Sequence, residues 1–154
     1  MKQFFLTYGE STTDEEIGNY IQKYHLKLPL EYKKFLKEVN GGITKDKAFE
    51  LGNFDYEKKN INYYVDIDEF FSLKALHDVW IYTKEDLNEY NLFPVAEVRG
   101  GMLICCKQEE SVNAEMFFYD NNFGVIALTK SLSEFLNLLI PESEVDFKKY
   151  GIDY

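Results

Sequence analysis

The stretch Leu28-Pro29-Leu30-Glu31-Tyr32-Lys33-Lys34-Phe35-Leu36-Lys37-Glu38-Val39-Asn40-Gly41-Gly42 fixes a helix by its start, its inner face and its stop. Pro29 suits a first helical turn, where its missing N–H would have no partner anyway. Tyr32, Phe35, Leu36 and Val39 fall at i, i+3, i+4 and i+7, which places one apolar stripe on one face. Asn40-Gly41-Gly42 then supplies residues that tolerate the left-handed backbone of a helix end. The spacing predicts a helix over 29–40. Just upstream, Ser11-Thr12-Thr13-Asp14 offers capping oxygens, and either Thr12 with Glu15 or Thr13 with Glu16 fits a capping box. Ile17, Tyr20, Ile21 and Tyr24 repeat the stripe, so a helix over 14–24 precedes the first and packs beside it.

The remainder reads mostly as strands. Phe49–Leu51 and Asn62–Ile67 are strand-like, with a further such run at Glu69–Leu73. Within 75–91, Thr83-Lys84-Glu85-Asp86 can cap a short helix through Tyr90, with Val79, Trp80 and Ile81 packed beneath. Phe93–Val98 and Met102–Lys107 form a hairpin around Arg99-Gly100-Gly101. Met102 to Cys106 is apolar throughout, as a central strand covered on both faces requires. Glu115–Asp120 and Phe123–Thr129 make another hairpin, and Ser131 caps a last helix carrying Leu132, Phe135, Leu136 and Leu139. Pro141 ends that helix, and 142–154 is an acidic tail. Helices at both ends with hairpins between indicate an α+β fold. At 154 residues a single domain over 1–154 is expected.

Charge is unevenly spread. Residues 1–60 carry ten Lys and ten Asp or Glu, whereas 61–154 carry six Lys, one Arg and seventeen Asp or Glu. The whole net charge of −10 therefore sits in the last three fifths. Such a field repels nucleic acid and anionic membranes and attracts a basic protein. The 12 Tyr, 13 Phe and single Trp suffice for a compact core without a cofactor or crosslink. Cys105 and Cys106 are adjacent in an apolar run, so two buried, reduced thiols are expected, and with them a cytoplasmic location. The N-terminus has too short an apolar run for a secretory signal, and no stretch approaches membrane-spanning length.

Catalytic chemistry is poorly provided for. His25 and His77 stand apart, with no Cys or carboxylate at zinc-ligand spacing. No G-x-S-x-G is present, and no Lys-Ser/Thr follows Gly41-Gly42 or Gly100-Gly101 to make a phosphate loop. Glu97 and Arg99, two apart, are the nearest approach to a base and clamp, a surface ion pair being the plainer reading. No catalytic residue, metal or cofactor is assigned. The better candidate is a partner-binding surface of carboxylates and aromatics: Asp55, Tyr56, Tyr64, Asp66, Asp68 and Glu69. Phe70-Phe71 stands where a calcium loop needs a spaced Glu, which argues against a cation site there.

One family resemblance organises these pieces. Leu28-Pro29, Tyr32, Phe35-Leu36 and Asn40-Gly41-Gly42 resemble the opening motif of the SUKH superfamily. A second block follows in the same order: Phe93-Pro94-Val95-Ala96-Glu97, Gly100-Gly101, then Leu103-Ile104-Cys105. Met116–Asp120 and Ser131–Leu136 complete it, so the likeness runs from about Asp14 to Ile140 and is loose over 48–91. The resemblance implies a mainly antiparallel sheet flanked by two N-terminal helices and one C-terminal helix. It also implies a non-catalytic immunity protein that binds and neutralises a cognate toxin. The acidic field favours a basic nuclease domain as that toxin, with no nucleic acid or membrane partner. A regulatory module like that of a fungal cell-wall regulator is the alternative, and an enzyme is a third and weaker one.

Overall fold

Thr13 opens the first helix of the computed structural model, which describes residues 1–54, 64–122 and 124–150. In chain order the elements are β1 (Phe5–Tyr8), α1 (Asp14–Tyr24), α2 (Leu30–Glu38), β2 (Gly42–Thr44), β3 (Ala48–Glu50) and β4 (Tyr64–Phe70). There follow α3 (Leu73–Asn88), β5 (Leu92–Val98), β6 (Met102–Lys107), β7 (Met116–Asp120), β8 (Gly124–Ala127) and α4 (Leu132–Leu138). The Thr13 hydroxyl accepts from the Glu16 N–H at 3.1 Å and donates to the Glu16 carboxylate at 3.3 Å, so Thr13 caps the helix and the Glu16 side chain returns to the cap's hydroxyl. Thr12 does not cap the helix. Buried, it donates to the Leu36 carbonyl at 2.8 Å and ties α1 to α2.

The strands form one antiparallel sheet among the described residues, in the order β1-β2-β4-β5-β6-β7-β8, with β3 also paired to β4. Directly opposed residues share a face. Phe70, Ala96, Ile104, Phe118 and Ile126 therefore form one inner row across five strands, and all five are buried. The two N-terminal helices cover that face with rings. Phe35 meets Phe70 at 5.6 Å, Tyr32 meets Phe93 at 5.9 Å, and Trp80 of α3 meets Phe93 at 5.1 Å. Each such ring contributes about 1.5–3 kcal/mol by its burial, and none of these five is more than 3% exposed. On α2 all four predicted stripe residues are buried, although the helix starts one residue later than expected, with Pro29 as its cap.

Four departures from expectation have physical causes. β1 gave no strand signal because only Phe5 of its four residues is buried. The 75–91 region is one 16-residue helix, α3, rather than a short one starting at Thr83. It begins at Ser72, whose hydroxyl accepts from the Ala75 N–H at 3.2 Å, and Leu73, Leu76, Trp80 and Leu87 form its buried side. The Thr83 hydroxyl donates to the Val79 carbonyl at 2.8 Å, a bond made inside the helix and not a cap. The two strand-like runs over 62–73 merge into β4, whose register shifts between Ile67 and Glu69; Asn62 and the residue after it lie outside the described residues. The described part of the acidic tail is docked: just beyond Ile140, which bridges to Ala48, Val145 is buried and Phe147 meets the Tyr64 ring at 5.3 Å.

Two side chains join elements distant in sequence. Asn40, at φ 52°, accepts from the Leu73 N–H at 2.8 Å and donates to the Glu10 carbonyl at 2.7 Å. Glu31, in the first turn of α2, accepts from the N–H groups of Ala114 (2.8 Å), Leu132 (2.8 Å) and Ser133 (3.1 Å) and from the Ser133 hydroxyl (2.8 Å).

Candidate functional site

The acidic-aromatic segment leads into and along β4, and the strand divides its residues. Asp55 and Tyr56 lie outside the described residues. Tyr64 is half-buried against Phe147. Asp66, 6% exposed, holds Arg99: the guanidinium Nη2 lies 3.0 Å from Asp66 Oδ2, and the Arg99 N–H donates to the Asp66 carbonyl at 3.0 Å. Burial pushes the Asp66 carboxyl above its ordinary value of 3.8; Arg99 opposes this, Glu142 adds to the rise, and Lys47 and Asp68 contribute smaller, opposite effects. Asp68 and Glu69 are exposed, as the β-bulge turns both away from the core.

Glu97 and Arg99 do not come together as a pair. Arg99 stands in the turn after β5 and is engaged by Asp66, whereas Glu97 is opposed across the ladder by Glu69. Two carboxylates directly opposite one another on a sheet are mutually destabilising. Neither makes an ion pair among the described residues. The same outward row continues through Leu103, Tyr119 and Val125, all half-buried, so the sheet presents a face that is acidic at one end and apolar beyond.

The other chemistry-bearing residues are occupied structurally. His25 ends α1 in the left-handed conformation. The His77 Nδ1 lies 3.0 Å from the Tyr24 hydroxyl, on the wall of a cleft of about 720 Å³ between α1, the 9–12 loop and the start of α3. Cys105 and Cys106 are free and fully buried, and burial raises both thiol pKa values, which keeps them protonated and unreactive. Among the described residues no three His, Cys, Asp or Glu side chains are grouped to hold a metal ion. Sequence reasoning left out the first half of α3, which carries Tyr82, 84% exposed, because it started the helix at Thr83.

A family model described as the SMI1 / KNR4 family (SUKH-1) matches residues 11–138. No curated protein matches the chain.

Proposed function

Because the chain belongs to the SMI1 / KNR4 family (SUKH-1), we propose that it is a non-catalytic immunity protein that binds and neutralises a cognate toxin, a basic nuclease domain. Family membership is the observation that carries this reading, and it supports an immunity or protein-interaction role in general. The charge distribution supplies the rest: exposed carboxylates such as Asp68 and Glu69, which make no ion pair among the described residues, are available to a cationic protein. The proposed contact set keeps Asp68 and Glu69 at its centre, with Asp66, which holds Arg99, and with Asp55, Tyr56 and Tyr64. The protein acts in the cytoplasm, where its thiols stay reduced. No described helix is long and apolar enough to cross a membrane.

A regulatory protein-interaction module of the cell-wall-regulator type is the second reading, favoured by the same family description. The gene neighbourhood separates the two, since an immunity gene sits beside a toxin gene. The direct test is co-expression with the toxin encoded next to this gene. Survival of the cells and a complex that co-elutes on gel filtration are expected; continued killing with no complex would refute immunity.

A further inference from the structure

The solvent side of α3 has a composition that its own fold does not use. Tyr82, Asp86 and Glu89, the last being the C-cap of α3, follow one another at i, i+4 and i+7 on the side opposite the buried Leu76, Trp80 and Leu87, and Tyr90 stands in the turn just after them. Tyr82 is 84% exposed and Tyr90 is 44% exposed, so one aromatic side chain on the helix and one in the turn after it stand in water. Asp86 and Glu89 make no ion pair among the described residues. The stripe meets the outward face of the sheet through the Tyr90 and Tyr119 rings, whose centres are 5.9 Å apart. From Tyr119 the ladder leads directly to Leu103 and on to Glu97.

We infer that this continuous surface, from Tyr82 on α3 through Tyr90 and Tyr119 to Leu103 and Glu97 on the sheet, is where the partner docks, and that the partner presents a Lys- and Arg-rich protein face. The inference rests on the protein-binding reading above and gives that reading a place on the molecule wider than β4. Rings with few rotatable bonds anchor an interface at small entropic cost, and Tyr is enriched among residues that dominate binding. The carboxylates flanking them lack internal cations among the described residues, so a basic face gains charge pairs without breaking any that the fold already makes. Nucleic acid is excluded by the same charges, which would face its phosphates.

The experiment measures binding of the toxin domain encoded beside the gene to the full-length protein, by stopped-flow and titration calorimetry. Glu89→Lys combined with Glu97→Lys is compared with Glu15→Lys combined with Glu38→Lys, which changes net charge equally on exposed positions of α1 and α2. Tyr82→Ala removes an anchor without altering charge. The expected result is association slowed by about tenfold in the first pair, dissociation faster by about tenfold for Tyr82→Ala, and near-normal binding by the Glu15/Glu38 pair. Equal losses in both charge pairs, or unchanged binding in all three variants, would overturn the surface while leaving the immunity reading intact. Failure of the unaltered protein to bind would overturn that reading and the surface with it. Hydrogen exchange on the unaltered complex gives a check that needs no variant: protection must rise at the exchangeable amides of 82–90 and 103.

Discussion

Gly42 shows how a single missing Cβ permits β2 to pair with β1 and β4. Its φ is 123°, and it is paired on one side with Tyr8 of β1 and on the other with Phe70 of β4. A Cβ there would run into the Thr7 carbonyl oxygen, so strand and side chain cannot coexist. Gly42→Ala is expected to cost about 3 kcal/mol, read as a lower urea midpoint. The Asp66–Arg99 pair makes a prediction with a pH signature. A carboxyl whose folded pKa is raised above 3.8 favours the fold most when protonated, and that contribution is lost as pH rises through its folded value. Arg99 offsets the loss at neutral pH. Arg99→Ala should therefore destabilise by about 1 kcal/mol at neutral pH, the guanidinium being largely exposed. The gap to the unaltered protein should close as pH falls towards 3.8, measured by urea melts across that range. A gap that stays constant would assign the loss to packing of the arginine stem instead.

Helices α1, α2 and α4 were legible because each pairs a capping residue with a stripe of large apolar side chains. The β5–β6 and β7–β8 hairpins were legible because their turns sit between apolar runs. α3 was hidden by its interior. Asp78, Val79, Ile81 and Thr83 interrupt a thin buried side made of Leu73, Leu76, Trp80 and Leu87, and the signal at Ser72 was absorbed into a supposed strand. Ser72→Ala should cost about 1 kcal/mol, and Ser72→Asp should recover most of it, both read from the urea midpoint. If neither change moves the midpoint, the helix start is held by the Asn40 side chain bonded to the Leu73 N–H and not by the cap.

Across the whole molecule, the antiparallel α+β architecture followed from the order of elements, since consecutive strands joined by short turns pair with each other. The candidate surface was only half legible. The acidic β4 segment announced itself by composition, but its extension over Glu97, Leu103 and Tyr119 depends on ladder register, and its continuation onto α3 depends on a ring contact between Tyr90 and Tyr119, far apart in the chain. No local pattern encodes either. The Glu31 carboxylate carries this furthest, for its partners are 83 to 102 residues away along the chain. A clasp that closes over such a span is expected to form after the rate-limiting barrier, and so to act on the lifetime of the native state. Glu31→Gln, which sets an amide donor against backbone donors, should lower stability by about 2 kcal/mol. In stopped-flow chevrons nearly all of that should appear as faster unfolding, with refolding untouched; slowed refolding would place the clasp before the barrier. A fold that opens so seldom keeps its outer surface in one shape for longer than any single encounter lasts.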